Sequence, residues 1–154
     1  MEAVTLQPVG ILHGNRKTPI DDQWDSEIST IELDAKRFTS DALMGLTDFT
    51  HLEVVFLMHL VPQEEIEVGA RHPRGRKDWP RVGIFSQRGK GRPNRVGVSR
   101  CKLLRVEGLK VTVQGLDAID GTPIIDIKPY MAEFGPRGDF KQPEWATEIM
   151  KDYY

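Results

Sequence analysis

VGVSRCKLLRVEGLKVTVQGL, residues 96–116, decides the fold class. Two apolar runs, 96–106 and 109–116, are separated only by Glu107 and Gly108. Leu109, Val111 and Val113 alternate with Lys110, Thr112 and Gln114, the period-two pattern of a strand with one buried face. Two such runs joined by a two-residue turn that ends in glycine predict an antiparallel hairpin.

Outward from that hairpin the chain reads mostly as strands punctuated by Gly, Pro and Asp, with further strands expected at 4–12, 27–33, 52–60 and 82–87. Ser40 and Asp41 are placed to cap a short helix carrying Leu43, Met44 and Leu46, and Pro143 with Glu144 opens a second helix running toward Met150. The regular strand–helix alternation of a doubly wound sheet is missing, so the expected fold is mainly β: a small antiparallel barrel or strongly curled sheet with one or two short helices. A length of 154 residues with 39% hydrophobic content suits one core, hence a single domain over 1–154. Within it, 134–154 forms a C-terminal packing segment whose Phe140, Trp145, Met150, Tyr153 and Tyr154 seek a surface, on a partner subunit or over an open barrel end.

The longest apolar run, 54–61, is far short of the roughly 20 residues of a membrane helix, and the first residues lack the pattern of a signal peptide. A cytoplasmic protein without membrane attachment is expected. Cys101 is the single cysteine, which excludes an internal disulfide and a multi-cysteine zinc site and leaves it as a small apolar filler of a strand.

Charge is segregated. The net charge is −2, yet 71–95 holds nine Lys or Arg against the one acid Asp78. Such a stretch on a mildly acidic chain points to a local anionic partner or to a solvated basic loop. Its end, FSQRGKGRPNRVG at 85–97, is not a P-loop, because five residues separate Gly83 from Gly89 and a glycine follows Lys90. Nor is it a dinucleotide fingerprint, since Pro93 holds Arg92 in extended backbone where a helix would begin. What remains is a loop whose glycines allow close backbone approach to a ligand and whose Arg88 and Arg92 match a carboxylate or phosphate in bidentate fashion.

A second stretch, GLDAIDGTPIIDIKPY at 115–130, sets Asp117, Asp120 and Asp126 among Leu116, Ile119, Ile124, Ile125 and Ile127. Asp120-Gly121-Thr122-Pro123 also reads as an ordinary turn. No His or Cys cluster and no calcium-loop spacing accompanies these acids, so no metal site is expected.

The combination GIFSQR, then RPN, then GLDAIDGTPIIDIKPY resembles the TsaA-like, or TrmO, group of S-adenosylmethionine-dependent methyltransferases, and the likeness runs from Pro8-Val9-Gly10 through Phe49-Thr50-His51-Leu52 and His59 to Tyr130. The resemblance implies a small non-Rossmann β-barrel that binds S-adenosyl-L-methionine, forms a homodimer and methylates N6 of threonylcarbamoyladenosine beside the tRNA anticodon. It implies cofactor contacts at His59, Leu60, Arg88, Val98, Ser99, Leu116, Asp117, Ala118 and Ile119. The chemistry suits them: an arginine meets the cofactor's carboxylate, carboxylate or carbonyl acceptors meet its ammonium and ribose, and apolar walls meet adenine. Each also has a structural reading, as a core histidine, an ion pair of Arg88 with Asp120, or plain core.

Methyl transfer from a sulfonium asks chiefly for in-line positioning and exclusion of water. If the acceptor nitrogen must lose a proton, Asp117 or Asp22 is the candidate base. RNA is expected to dock on 71–95, through Arg74, Arg76, Lys77, Arg92 and Asn94, with Trp79 as a stacking platform or as a buried anchor.

Departures from the group's pattern concern substrate more than cofactor. Gly89-Lys90-Gly91 replaces the usual Ser-Pro-x of the central loop, Arg95 replaces the proline after Asn94, and Asp21-Asp22-Gln23-Trp24 stands where a Pro-Arg-Gln stretch is usual. Two other readings stay open on sequence: an RNA-binding barrel without catalysis, and an S-adenosylmethionine-binding protein that serves another acceptor or acts as a regulator.

Overall fold

The computed structural model describes all 154 residues. Six antiparallel strands close into a barrel: β1 (Gly10–His13), β2 (Ile28–Leu33), β3 (His51–Leu57), β6 (Val96–Glu107), β7 (Lys110–Gln114) and β8 (Pro123–Pro129), in the order β1-β2-β7-β6-β3-β8. Two short strands, β4 (Ala70–Arg71) and β5 (Val82–Gly83), form a separate ribbon in the long β3–β6 connection. The expected hairpin is present, with Glu107 opposite Lys110 and Gly108 in the left-handed region at φ 60.

Alternation explains which side faces in. Leu52, Val54 and Phe56 of β3, Ile31 and Leu33 of β2, and Val111 and Val113 of β7 meet Leu12, Cys101, Leu116 and Ile124 in one buried cluster. The residues between them face outward or pair across strands, as Thr30 and Thr112 do through their hydroxyls at 3.3 Å. At Gly10 the barrel closes tightly: a Cβ there would lie 2.4 Å from the Glu32 carbonyl oxygen.

Several expectations are corrected. The first strand begins at Gly10 rather than residue 4, and Val4 and Leu6 are exposed, because β1 pairs with β2 and β8 only from Gly10 onward. The expected strand 82–87 stops at Gly83 and tightens into a 3₁₀ turn, Ile84–Ser86. β8 was hidden by its own composition: it carries Asp126 and Lys128, which pair with each other on the outer surface. The stretch around Ser40 forms two 3₁₀ turns, Ser40–Leu43 and Leu46–Asp48, broken at Gly45, whose φ is 78. The second helix is present as α1 (Glu144–Ile149). Asp120 does not bond its own turn but accepts from the Gly14 amide at 3.1 Å, tying the β7–β8 connection to the loop after β1.

No helix is long and apolar enough to cross a membrane. No three His, Cys, Asp or Glu side chains gather where they could hold a metal ion. Burial, then the nearby charge of Asp117, pushes the Cys101 thiol up to about 12. At pH 8 it is a buried, protonated thiol, so a thiol reagent is expected to label Cys101 far more slowly than an exposed cysteine. Rapid stoichiometric labelling under native conditions, followed by absorbance, would contradict this packing.

Candidate functional site at the open edge of β6

The site begins with a mismatch of strand lengths. β6 has twelve residues and β7 five. β3 covers β6 from Val96 to Lys102, whereas β7 pairs with it only from Lys102 to Glu107. Along 96–101 one edge of β6 therefore has no strand partner. Backbone groups at such an edge need other partners, and one is supplied by Arg88, which donates to the Val98 carbonyl. After β7 the chain turns at Gly115, φ 81, and the stretch 116–119 lies beside this edge, close enough for Asp117 to act on Cys101.

A distant segment covers the gap. The Asp152 and Tyr153 carbonyls accept from the Gln23 and Trp24 amides at 2.9 and 2.8 Å, which lays residues 152–154 along the loop between β1 and β2. That loop is shaped by Arg16, which donates to the Asp22 and Gln23 carbonyls and the Glu27 carboxylate and stacks over Trp24 at 4.0 Å. From there Tyr153 sends its hydroxyl to Asp117 Oδ2, and Tyr154 packs edge-to-face on Tyr153 with ring centroids 5.0 Å apart. Burial, reinforced by the Asp117 charge, pushes the Tyr153 phenol well up, so it stays protonated and donates. Tyr154, Arg88, Val98, Ser99, Arg100 and Glu53 line a cavity of about 380 Å³. A neighbouring cavity of about 350 Å³ reaches Cys101, Gln114 and Gly115 and shares Tyr154 and Arg100.

Of the expected cofactor residues, Arg88, Val98 and Ser99 meet at the larger cavity, with Asp117 linked to it through the tyrosines. Leu116, Ala118 and Ile119 are buried at 1%, 7% and 8% exposure. His59 and Leu60 do not line this cavity. His59 stands just past the end of β3, its Nε2 3.8 Å from where a Cβ on Gly121 would sit, and Leu60 is exposed. Four buried side-chain polar atoms lack a partner: Ser29 Oγ, His59 Nδ1, Ser99 Oγ and Asp117 Oδ1. Three of the four belong to residues singled out in the sequence. Sequence reasoning missed Tyr154, Glu53 and Arg100 as lining groups and Tyr153 as the partner of Asp117. The paired tyrosines were visible only as apolar bulk seeking a surface.

The basic stretch 71–95 is largely engaged by the protein itself. Arg74 forms a two-point pair with Asp22 at 3.0 and 2.6 Å. Arg76 pairs with Asp78 and, at 3.3 Å, with Glu148 of α1, and lies over the Trp79 ring at 3.9 Å. Trp79 is buried and donates from Nε1 to Glu148 at 2.7 Å, so it is an anchor rather than a stacking platform. Arg92 and Arg95 donate to the Gln87 and Val61 carbonyls, and Lys90 faces Asp21 at 3.5 Å. The close approach afforded by Gly89 and Gly91 is taken up internally: a Cβ on Gly89 would meet Arg71 Nη2 at 2.7 Å, and one on Gly91 the Glu65 carbonyl oxygen at 2.4 Å. Arg95 has φ 52, which a proline ring cannot adopt, so its replacement of proline goes with a different loop backbone. Lys77 and Arg81, both exposed, make no ion pair or side-chain hydrogen bond, and exposed Asn94 makes none from its side chain.

The likeness to known proteins can be set against this geometry. Residues 11–135 match the tRNA-methyltransferase O N-terminal domain family. A probable S-adenosyl-L-methionine-binding protein of Methanothermobacter thermautotrophicus is 36% identical over 137 residues, 88% of this chain and 96% of that protein. The tRNA (adenine(37)-N6)-methyltransferase of Mus musculus is 40% identical over 93 residues, 60% of this chain, and this chain spans only 21% of that enzyme. Crystal structures of TrmO share the fold: the Pseudomonas aeruginosa protein superposes with a TM-score of 0.74 at 24% identity, over 93% of this chain and 62% of that one. A barrel of six antiparallel strands with its seam beside 116–119 is thus built on a shared pattern of sequence and fold, and the chain belongs to the tRNA-methyltransferase O N-terminal domain family.

Proposed function

We propose that the protein is an S-adenosyl-L-methionine-dependent methyltransferase whose acceptor is N6 of threonylcarbamoyladenosine beside the tRNA anticodon, and that it works as a cytoplasmic homodimer through a single domain over 1–154. The observation that carries this reading is the buried, unpartnered Asp117 Oδ1 beside the β6 seam, together with the cavity that Arg88, Ser99 and Tyr154 line. A buried acceptor without a protein partner, next to a cavity, calls for a ligand or a water that supplies one.

The residues fit S-adenosylmethionine. Arg88 has donors beyond the one given to Val98 and suits the amino-acid carboxylate. Asp117 Oδ1 and Ser99 Oγ suit the ammonium and ribose hydroxyls. Leu116, Ala118 and Ile119 supply apolar wall, while His59 at the Gly121 turn and exposed Leu60 stand outside this cavity. When bound, the cofactor supplies a methyl group made electrophilic by its sulfonium. The protein's share is to hold and orient both reactants and to exclude water, which Tyr154 assists by covering the seam. Of the two candidate bases, Asp22 has both oxygens engaged by Arg74, and Asp117 has one held by Tyr153 and the other given to the cofactor, so the transfer is read as one of positioning with no dedicated base. For RNA, Lys77, Arg81 and Asn94 are the free contacts of the basic lobe, with Arg92 beside them, while Arg74 and Arg76 shape its surface. A second reading, cofactor binding with a different acceptor, is favoured by the nearly full-length match to an archaeal protein named only for its binding of S-adenosylmethionine.

S-adenosylhomocysteine at about 100 times its dissociation constant adds roughly 2.7 kcal/mol. For this size that is a thermal shift of roughly 5 to 10 °C. Arg88→Ala is expected to remove most of the shift and Lys17→Ala none; equal loss in both, or no shift in the folded parent, contradicts the cofactor assignment.

With labelled cofactor and total tRNA the parent is expected to transfer label. Lys77→Ala with Arg81→Ala should weaken that transfer most at low salt, the deficit narrowing as salt rises, and reduce the salt slope of binding by about two. Transfer to no tRNA, with cofactor binding intact, favours the second reading.

Light scattering is expected to give twice the chain mass over a tenfold dilution. A concentration-independent monomer mass removes the dimer from the proposal.

A further inference from the structure

The seam is closed by residues 152–154, which lie outside the stretch 11–135 that matches the family. Asp117 is held by Tyr153 on one oxygen and has no partner on the other, which is buried. A carboxylate attached through a single methylene can rotate, and an oxygen left without a partner in a buried site does not by itself fix where it points. Here the orientation is set from outside the barrel. The Gln23 and Trp24 amides hold residues 152 and 153 by their carbonyls. Tyr153 is pinned against Tyr154, and its protonated hydroxyl engages Oδ2. Two rigid aromatic side chains, each with few rotatable bonds, are suited to this task.

We propose that Tyr153 is the positioning residue of the ligand site: by holding Asp117 Oδ2 it presents Oδ1 to a hydrogen-bond donor of the bound nucleoside, while Tyr154 forms the wall of the cavity beside Arg88 and Ser99. This rests on the reading that the site binds S-adenosylmethionine. The ligand chemistry is that of a group with an N–H or O–H donor, an ammonium or a ribose hydroxyl, facing an acceptor in a partly dry site. A segment that merely blocked the site would give the opposite result, because ligand and Tyr153 would then compete for Asp117.

Calorimetric titration with S-adenosylhomocysteine tests the assignment in the full chain. Tyr153→Phe keeps the ring and removes only the hydroxyl, and it is expected to weaken binding about tenfold, the scale of one hydrogen bond to a charged group. In an Asp117→Ala background the same change should alter affinity less than about twofold, since its effect passes through Asp117. A purely structural role would lower affinity in both backgrounds alike, and that result overturns the proposal. So does an affinity unchanged or raised by Tyr153→Phe. If that variant does not fold, Tyr153→Leu compared in the same two backgrounds serves instead: binding weakened only where Asp117 is present supports the proposal, and equal, tighter or background-independent binding overturns it. A folded parent that binds no S-adenosylhomocysteine at millimolar concentration overturns the proposed cofactor and this inference with it, which separates the two failures.

Discussion

The unequal lengths of β6 and β7 are the constraint on which the rest depends. Six strands satisfy nearly all of their edges by closing on one another. Because β7 ends at Gln114 while β6 extends back to Val96, a closed barrel retains a short open seam. Paired backbone seals the wall elsewhere. At the seam, side chains must do so: Arg88 on the Val98 carbonyl, Tyr153 on Asp117, and Tyr154 across the opening. Beside this backbone edge Asp117 Oδ1 stays buried without a protein partner, a setting in which a polar group binds a ligand with specificity.

The second organising feature is charge complementarity within the chain. The basic lobe of 71–95 faces Asp21 and Asp22 of the β1–β2 loop and Glu148 of α1, so part of its excess charge is offset by acids distant in sequence. Exposed ion pairs of this kind contribute little to stability one by one. Their effect here is placement, because the same loop that pairs with Arg74 also holds the 152–154 segment. Trp79, buried under Arg76 and bonded to Glu148, anchors the lobe to α1. Lobe, loop, helix and tyrosines form one connected cover on the seam side of the barrel.

The cover also clarifies the central loop. Its glycines and cations resemble an anion-binding cradle in composition, but Arg71 fills the space beside Gly89 and Gly91, and Arg92 and Arg95 close onto carbonyls. Of that loop, only Arg88 is turned toward the cavity.

Much of the barrel was legible in the sequence. The alternation of Leu109, Val111 and Val113 and the Glu107-Gly108 turn reflect a local requirement, since side-chain direction along a strand follows from backbone geometry alone. Arg88, Val98 and Ser99, which line the cavity, stand in short contiguous stretches that the sequence singles out. β8 was not, because its outward face carries Asp126 and Lys128 and its inward face shows only in the closed sheet. Neither was the boundary of β1, since Val4 and Leu6 have strand-like composition but nothing to pair with. The roles of the cations in 71–95 and of Tyr153 and Tyr154 were decided by tertiary structure. Asp22 lies 52 residues from Arg74 and Asp117 lies 36 from Tyr153, and no local rule relates such pairs. Closing the barrel and leaving β6 uncovered brings them together, and that depends on how all six strands register at once.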